Sequence, residues 1–157
     1  MKTFDIILPN NSTASKPKSK NSFRWTDMHK EVIANQCSIE QRENSTGKIL
    51  YLVGSNGALS DGTYIAYQMY VPLPNEDLKD KKFTSADTLK VHHLHVTEVT
   101  PEHIYLRMVE ADAASLILSL DWNKGTSSGT FKADFTTGYD LHPEGEFEMT
   151  LELRVKD

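Results

Sequence analysis

Cysteine occurs once, at Cys37, so no intrachain disulfide can form and a disulfide-stapled secreted framework is excluded. No apolar run approaches the roughly 20 residues that a membrane-spanning helix needs, so no membrane span is expected. The start, Met1–Pro9, holds one lysine and a short apolar run broken by Asp5 and Pro9, and no small-residue cleavage pattern follows. It does not read as a signal peptide, and a cytoplasmic location is the expectation. Two sequons, Asn11-Ser12-Thr13 and Asn44-Ser45-Thr46, then read as turn-forming polar residues rather than glycosylation sites.

Positive charge is also in short supply. Lys and Arg number 17 against 22 Asp and Glu, a net charge of -5 with a pI of about 5.7. A dedicated nucleic-acid binder carries a basic face, so this balance argues against one. Three basic residues face seven acidic ones from Thr130 to Asp157, a local balance of -4. Common catalytic signatures are missing. There is no Gly-x-Ser-x-Gly elbow. Gly54-Ser55-Asn56-Gly57 lacks the lysine and the helix of a phosphate loop. Cys37 falls on the apolar face of a helix expected over Trp25–Cys37, the setting of an inert thiol.

What remains is an ordinary globular composition: 157 residues, 38% hydrophobic and 25% charged. One β-rich domain spanning 1–157 is the expectation, with a flexible polar loop at 10–20. Strand patterns dominate. Phe4, Ile6 and Leu8 alternate, and Ile49–Val53 is a β-forming run. Over Thr63–Val71, Ile65, Tyr67, Met69 and Val71 share one face, while Tyr64, Ala66, Gln68 and Tyr70 share the other. Asn56-Gly57 and Asp61-Gly62 make the link between these two runs a hairpin with an enlarged tip. Pro72–Ser85 reads as a long connection with a solvated charge run. Leu89–Val99 and His103–Val109 pair through Thr100-Pro101-Glu102, and Leu116–Trp122 is a further strand. Asn123–Gly129 reads as a turn, with Thr130–Phe135 after it. Phe147, Met149, Leu151, Leu153 and Val155 alternate with polar residues, the mark of a strand wet on one face. One short helix is expected over Trp25–Cys37, where Trp25, Met28, Val32, Ile33 and Cys37 follow helical spacing. A strand from Glu31 to Ile39 competes with it. The fold class is mainly β: an antiparallel β-sandwich, or alternatively an up-and-down calycin-like barrel.

Three groups of residues could carry chemistry. In Val91-His92-His93-Leu94-His95, His93 and His95 share a strand face and could ligate zinc or another divalent metal, with His103 or His142 as a third ligand. A bulge near His92 or His93 would bring Leu89, Val91, Leu94 and Val96 onto one core face. Glu98 and Glu102 could supply an acid/base pair. The segment Thr136–Glu146 is rich in oxygen ligands but lacks calcium-loop spacing and reads as a polar turn. Tyr64, Tyr70, Tyr105 and Trp122 could line a ligand face, joined by Tyr67 and Tyr139 as further amphipathic aromatics. The expected function is a non-enzymatic module that binds a protein, a glycan or a small apolar ligand without a cofactor. The alternative is a His-dependent, metal-assisted enzyme or metal-binding protein centred on His92–His95. A homodimer through edge pairing of Phe4–Leu8 is a further expectation.

Overall fold

Alternation of apolar and polar residues shapes the strands Ser22–Asp27, Thr126–Asp134 and Glu144–Glu152, whereas Gly47–Asn56 and Lys90–Val99 carry consecutive buried residues. The computed structural model describes residues 3–10, 21–45, 47–86, 88–136 and 140–152. Residues 11–20 of the expected polar loop with their sequon, Thr46, residues 137–139 including Tyr139, and Leu153 and Val155 lie outside the described residues. Twelve strands are described: β1 (Thr3–Pro9), β2 (Ser22–Asp27), β3 (Lys30–Ile33), β4 (Gln36–Asn44), β5 (Gly47–Asn56) and β6 (Ile65–Pro72), then β7 (Leu78–Thr84), β8 (Lys90–Val99), β9 (His103–Glu110), β10 (Ala113–Asp121), β11 (Thr126–Asp134) and β12 (Glu144–Glu152). They form one large, mostly antiparallel sheet in the order β1-β9-β8-β6-β5-β4-β12-β11-β10-β7, with β2 paired to β12 and β3 to β2. Among the described residues its end strands β1 and β7 do not pair, so hydrogen bonds do not close it into a barrel. The β12–β4 junction, Leu151 opposite Ile39, is parallel. No helix of the described residues is long and apolar enough to cross a membrane.

The two halves of the sheet face each other across one core. Tyr67 on β6 is fully buried, with its ring 5.2 Å from Trp25 of β2 and 5.9 Å from Phe131 of β11. Phe23 lies 5.5 Å from Phe131 and 6.0 Å from Phe147. Such rings bury a large apolar area and dominate core energetics. Three glycines make room for them. A Cβ at Gly54 would stand 2.2 Å from the Phe23 ring, one at Gly145 2.4 Å from Phe131, and one at Gly129 2.8 Å from Phe147.

The expected helix over Trp25–Cys37 is absent. Trp25 ends up on β2, Val32 opposite it on β3, and Cys37 on β4. The helical spacing is overridden by a period of two that it skips: Phe23 and Trp25 point inward, Arg24 and Thr26 outward. A hairpin buries both rings, whereas Met28 is left exposed at its turn. The Pro72–Ser85 connection contains a strand, β7, paired to β10. The turn expected over Asn123–Gly129 ends at Gly125, and Thr126–Gly129 belong to β11. The expected bulge at His92 or His93 lies instead between Val96 and Glu98. Leu94 and Val96 therefore stay on the face opposite Val91 and His93, where Leu94 is buried and Gly62 of the β5–β6 loop lies against Val96 and Val99.

Candidate functional site

Alternation on β2, β10, β11 and β12 sends most aromatic and aliphatic residues inward and leaves an outward face of hydroxyl and charged side chains, with Ile117 among them. Cross-strand partners form continuous rows on it. One row runs Ile33, Arg24, Glu146, Thr130, Ile117 and Lys82 from β3 to β7. The next runs Ser22, Glu148, Ser128 and Ser119, ending at Asp80 through a hydrogen bond to Ser119. A third runs Glu31, Thr26, Glu144, Lys132 and Ser115. Six strands at the usual spacing make the face about 24 Å wide.

Three shallow depressions open onto this face. The largest, about 1040 Å³, is floored by Ser22, Ser128, Thr130 and the backbone of Gly129, with Arg24, Ile117 and Lys82 around it. A second, of about 580 Å³, continues it past Ser119 and Thr126 to Asp77 and Asp121. A third, of about 640 Å³, extends along Thr130, Lys132, Glu144 and Thr26. The floor is low because its side chains are small, whereas the rim carries long charged ones.

The rim is tied down by ion pairs. Arg24 bonds Glu146 and lies 3.6 Å from Glu31, and Lys132 is 3.5 Å from Glu144. Ser119 Oγ accepts the Asp80 backbone N–H at 2.9 Å and donates to Asp80 Oδ1 at 3.2 Å. Ser128, Thr130 and Glu148 have no side-chain hydrogen bond among the described residues and are available to a ligand. Carboxylates (Glu31, Asp77, Asp80, Asp121, Glu144, Glu146, Glu148) outnumber cations (Arg24, Lys79, Lys82, Lys132) around the three depressions. The face is thus rich in acceptors and repels anions.

Sequence reasoning passed over this face. The hydroxyls Thr126 and Ser128 lie where a turn was expected, Thr130 opens the strand expected after it, and Asp80 and Lys82 lie in the expected connection. The available signal was their spacing: hydroxyls at every second position, in phase with the outward glutamates of β12.

The histidines are separated by the strand. His93 points inward, its ring 5.1 Å from Tyr67, 5.9 Å from Phe135 and stacked 5.3 Å from His95. Burial, and then His95, push its pKa down to about 4. Burial, and then Arg107, also lower His95. His92 faces the opposite side, buried edge-on to Tyr70, with Nδ1 lacking a hydrogen-bond partner. Burial lowers its pKa, against an opposing pull from Glu110. His93 pairs with Val109, whereas His103 opens the same strand six residues earlier, about 20 Å away. The structure thus brings His93 and His95 together but not His103. Among the described residues, no group of three or more His, Cys, Asp or Glu side chains could hold a metal ion.

The ligand-face aromatics occupy separate places. Tyr64, on the β5–β6 loop, is half-buried and hydrogen-bonded to Ser55. Tyr70 belongs to a ladder across β4, β5, β6 and β8. In it the Arg42 guanidinium stands 3.8 Å over Tyr51, Tyr51 is 5.0 Å from Tyr70, and Tyr70 donates to Gln68 at 3.1 Å. Cross-strand contacts of this kind stabilise a sheet. Tyr105 stands on β9 near the exposed His103. Trp122 is anchored after β10 by Nε1–H donation to Glu76 O at 3.0 Å. In the oxygen-rich segment, His142 bridges Asp134 at 2.7 Å and Asp140 at 2.8 Å, and Thr136 donates to Asp112. These oxygens are engaged internally. No family profile matches the chain, and no curated protein or solved structure matches it either.

Proposed function

We propose that this protein is a binding module without catalysis of its own, and that its ligand is a neutral glycan lying across the hydroxyl-lined face of β2, β3, β7, β10, β11 and β12. The observation that supports this reading is the continuity of that face. Serine and threonine hydroxyls run along a recessed floor, bounded by carboxylates and four cations. A polyol carries a donor and an acceptor on every hydroxyl, so it can satisfy both the carboxylates and the hydroxyls of the floor. Phosphodiesters and acidic glycans would be repelled by the same carboxylates. Ile117, exposed at the middle of the main row, offers an apolar contact for the C–H face of a sugar ring. Recognition groups on packed strands are held more firmly than on loops. The open shape buries less ligand than a closed pocket, so affinity per site should be roughly micromolar to millimolar.

The test is a glycan array probed with the full chain, followed by calorimetric titration of the best neutral oligosaccharide. Ser128→Arg and Thr130→Arg fill the floor and should weaken binding at least tenfold. Tyr70→Ala, on the other half of the sheet, should leave it unchanged. Binding that ignores both floor substitutions, or no neutral glycan bound at millimolar concentration, overturns the reading.

A further inference from the structure

An open sheet has edges, and each edge presents unpaired N–H and C=O groups that can template another strand. Natural sheets blunt them with lysines, bulges or short strands. The described residues leave outer edges on β3, β7 and β1. β3 has four residues and is short. β7 carries Lys79, Lys81 and Lys82, and Asp80 at φ 48° breaks its register against β10. β1 has none of these devices. Its seven residues pair with β9 in unbroken register, from Thr3 opposite Val109 to Pro9 opposite His103. Its one charge, Asp5, is engaged by its own Arg107 at 3.2 Å. Phe4 and Ile7 are 44% and 59% exposed beside the free edge.

We propose that β1 is a homodimerisation edge, with two copies pairing their β1 strands antiparallel about a two-fold axis. The order of residues suits self-pairing. Phe4 and Leu8 lie symmetrically about Ile6, so an antiparallel pair centred there sets Phe4 against the second copy's Leu8, and Ile6 against Ile6. Every contact on that face is apolar. On the other face Asp5 meets Ile7, and each Asp5 charge is already compensated by Arg107, so like charges do not oppose the seam. A two-fold axis makes such an interface closed and self-limiting. The shared edge is about 24 Å long, which places the contact at the small end of specific interfaces and makes the dimer reversible. No β1 residue lines the depressions of the hydroxyl-lined face, so the pairing does not use that face. The dimer would present that face twice, and a multivalent ligand would gain avidity without any new contact.

Sedimentation velocity of the full chain across a wide concentration range tests this inference. The wild type should shift from monomer to dimer. Phe4→Lys/Ile7→Lys should raise the dimer dissociation constant at least tenfold with an unchanged circular dichroism spectrum. Ile33→Lys, on the β3 edge, should leave dimerisation alone. In a Cys37→Ser background, Ile6→Cys should form an intermolecular disulfide on mild oxidation. A wild type that stays monomeric at every concentration overturns the proposal. So does a dimer that survives Phe4→Lys/Ile7→Lys, or one lost only in Ile33→Lys. Glycan binding by the monomeric variant reads the proposed function separately, so the two ideas can fail independently.

Discussion

Replacing Gly54 by alanine should strain the centre of the core. Gly54 is on β5, across the core from Phe23 on β2. An added methyl would stand 2.2 Å from Phe23 Cδ1 and 2.4 Å from Cγ. Carbon atoms in contact prefer about 3.5–4.0 Å, so the overlap exceeds an ångström by a clear margin. The ring cannot step aside. Phe23 is fully buried, and Phe131, Phe147 and Trp25 stand at 5.5, 6.0 and 5.9 Å from it. Relief requires a backbone shift of β5 or a concerted displacement of several rings. Gly54→Ala should therefore fall high in the overpacking range, about 2–3 kcal/mol, which lowers the melting temperature of a chain this size by roughly 5–10 °C. Phe23→Ala alone should cost about 3–5 kcal/mol by leaving a cavity. In the double variant the alanine methyl enters space that the ring has vacated. Its loss should be smaller than the two single losses combined, by about 1–2 kcal/mol. Urea unfolding followed by the fluorescence of Trp25, which packs edge-on against Phe23, in a Trp122→Phe background measures all three. Strict additivity, or a Gly54→Ala loss below about 0.5 kcal/mol, would refute the argument.

The β2–β3 turn gives a prediction of opposite sign. Met28 and His29 both have positive φ, 48° and 66°, where hairpin turns favour Asn-Gly. Met28→Asn with His29→Gly should stabilise the protein by about 1–2 kcal/mol, and an unchanged or lower melting temperature counts against it. His93 titrates near pH 4 folded and near 6.5 unfolded. Between those values the unfolded chain binds more protons, so stability is present above about pH 6.5 and falls by up to about 3 kcal/mol towards pH 4. His93→Gln should flatten that slope in urea titrations, and a slope equal to the wild type would contradict this origin. His142 runs the other way. Hydrogen bonds that its ring donates, first to Asp134 and then to Asp140, raise its pKa. Its contribution is complete below the unfolded value and disappears as pH rises through the folded one. His142→Asn should therefore destabilise more at about pH 5.5 than at about pH 9, and equal effects at both would exclude the charge as the cause.

Much of the β architecture could be read from residue alternation. On β12, Phe147, Met149 and Leu151 are buried and Glu144, Glu146 and Glu148 exposed, as their period of two requires. The assignment of Tyr67, Met69 and Val71 to one face of β6 follows for the same reason. Reading failed where a local signal competed with pairing. Trp25, Met28 and Val32 fit a helix by spacing, yet a tight turn at Met28–His29 placed Trp25 and Val32 face to face. Thr126-Ser127-Ser128-Gly129 has turn composition, but Gly129 is there because Phe147 opposite it leaves no room for a Cβ. The lysines of β7 resemble a solvated loop because an edge strand and a loop are both wet. Which half of the sheet faces which depends on pairings distant in sequence, such as Leu151 with Ile39, that no local pattern contains.

The misread glycine and the candidate site have one physical origin. On β11 and β12 a glycine stands opposite a phenylalanine twice, in opposite senses: Gly129 with Phe147, and Phe131 with Gly145. Each ring can then lie against bare backbone, and the inner face packs two large side chains where two β-branched residues would otherwise stand. Strands held down by rings in this way supply a firm floor, and residues between the ring positions must project outward. Those residues are Ser128, Thr130, Glu146 and Glu148. Short hydroxyls on β11 beside long carboxylates on β12 make one strand a trough and the next a wall. The depression that should receive a ligand is therefore set from beneath, by aromatic packing that never touches the ligand. A substitution at Gly129 or Gly145 would move the wall as well as the core. The free edge of β1 belongs to the other half of the sheet and shares none of these contacts, so self-association there can vary without altering the ligand face.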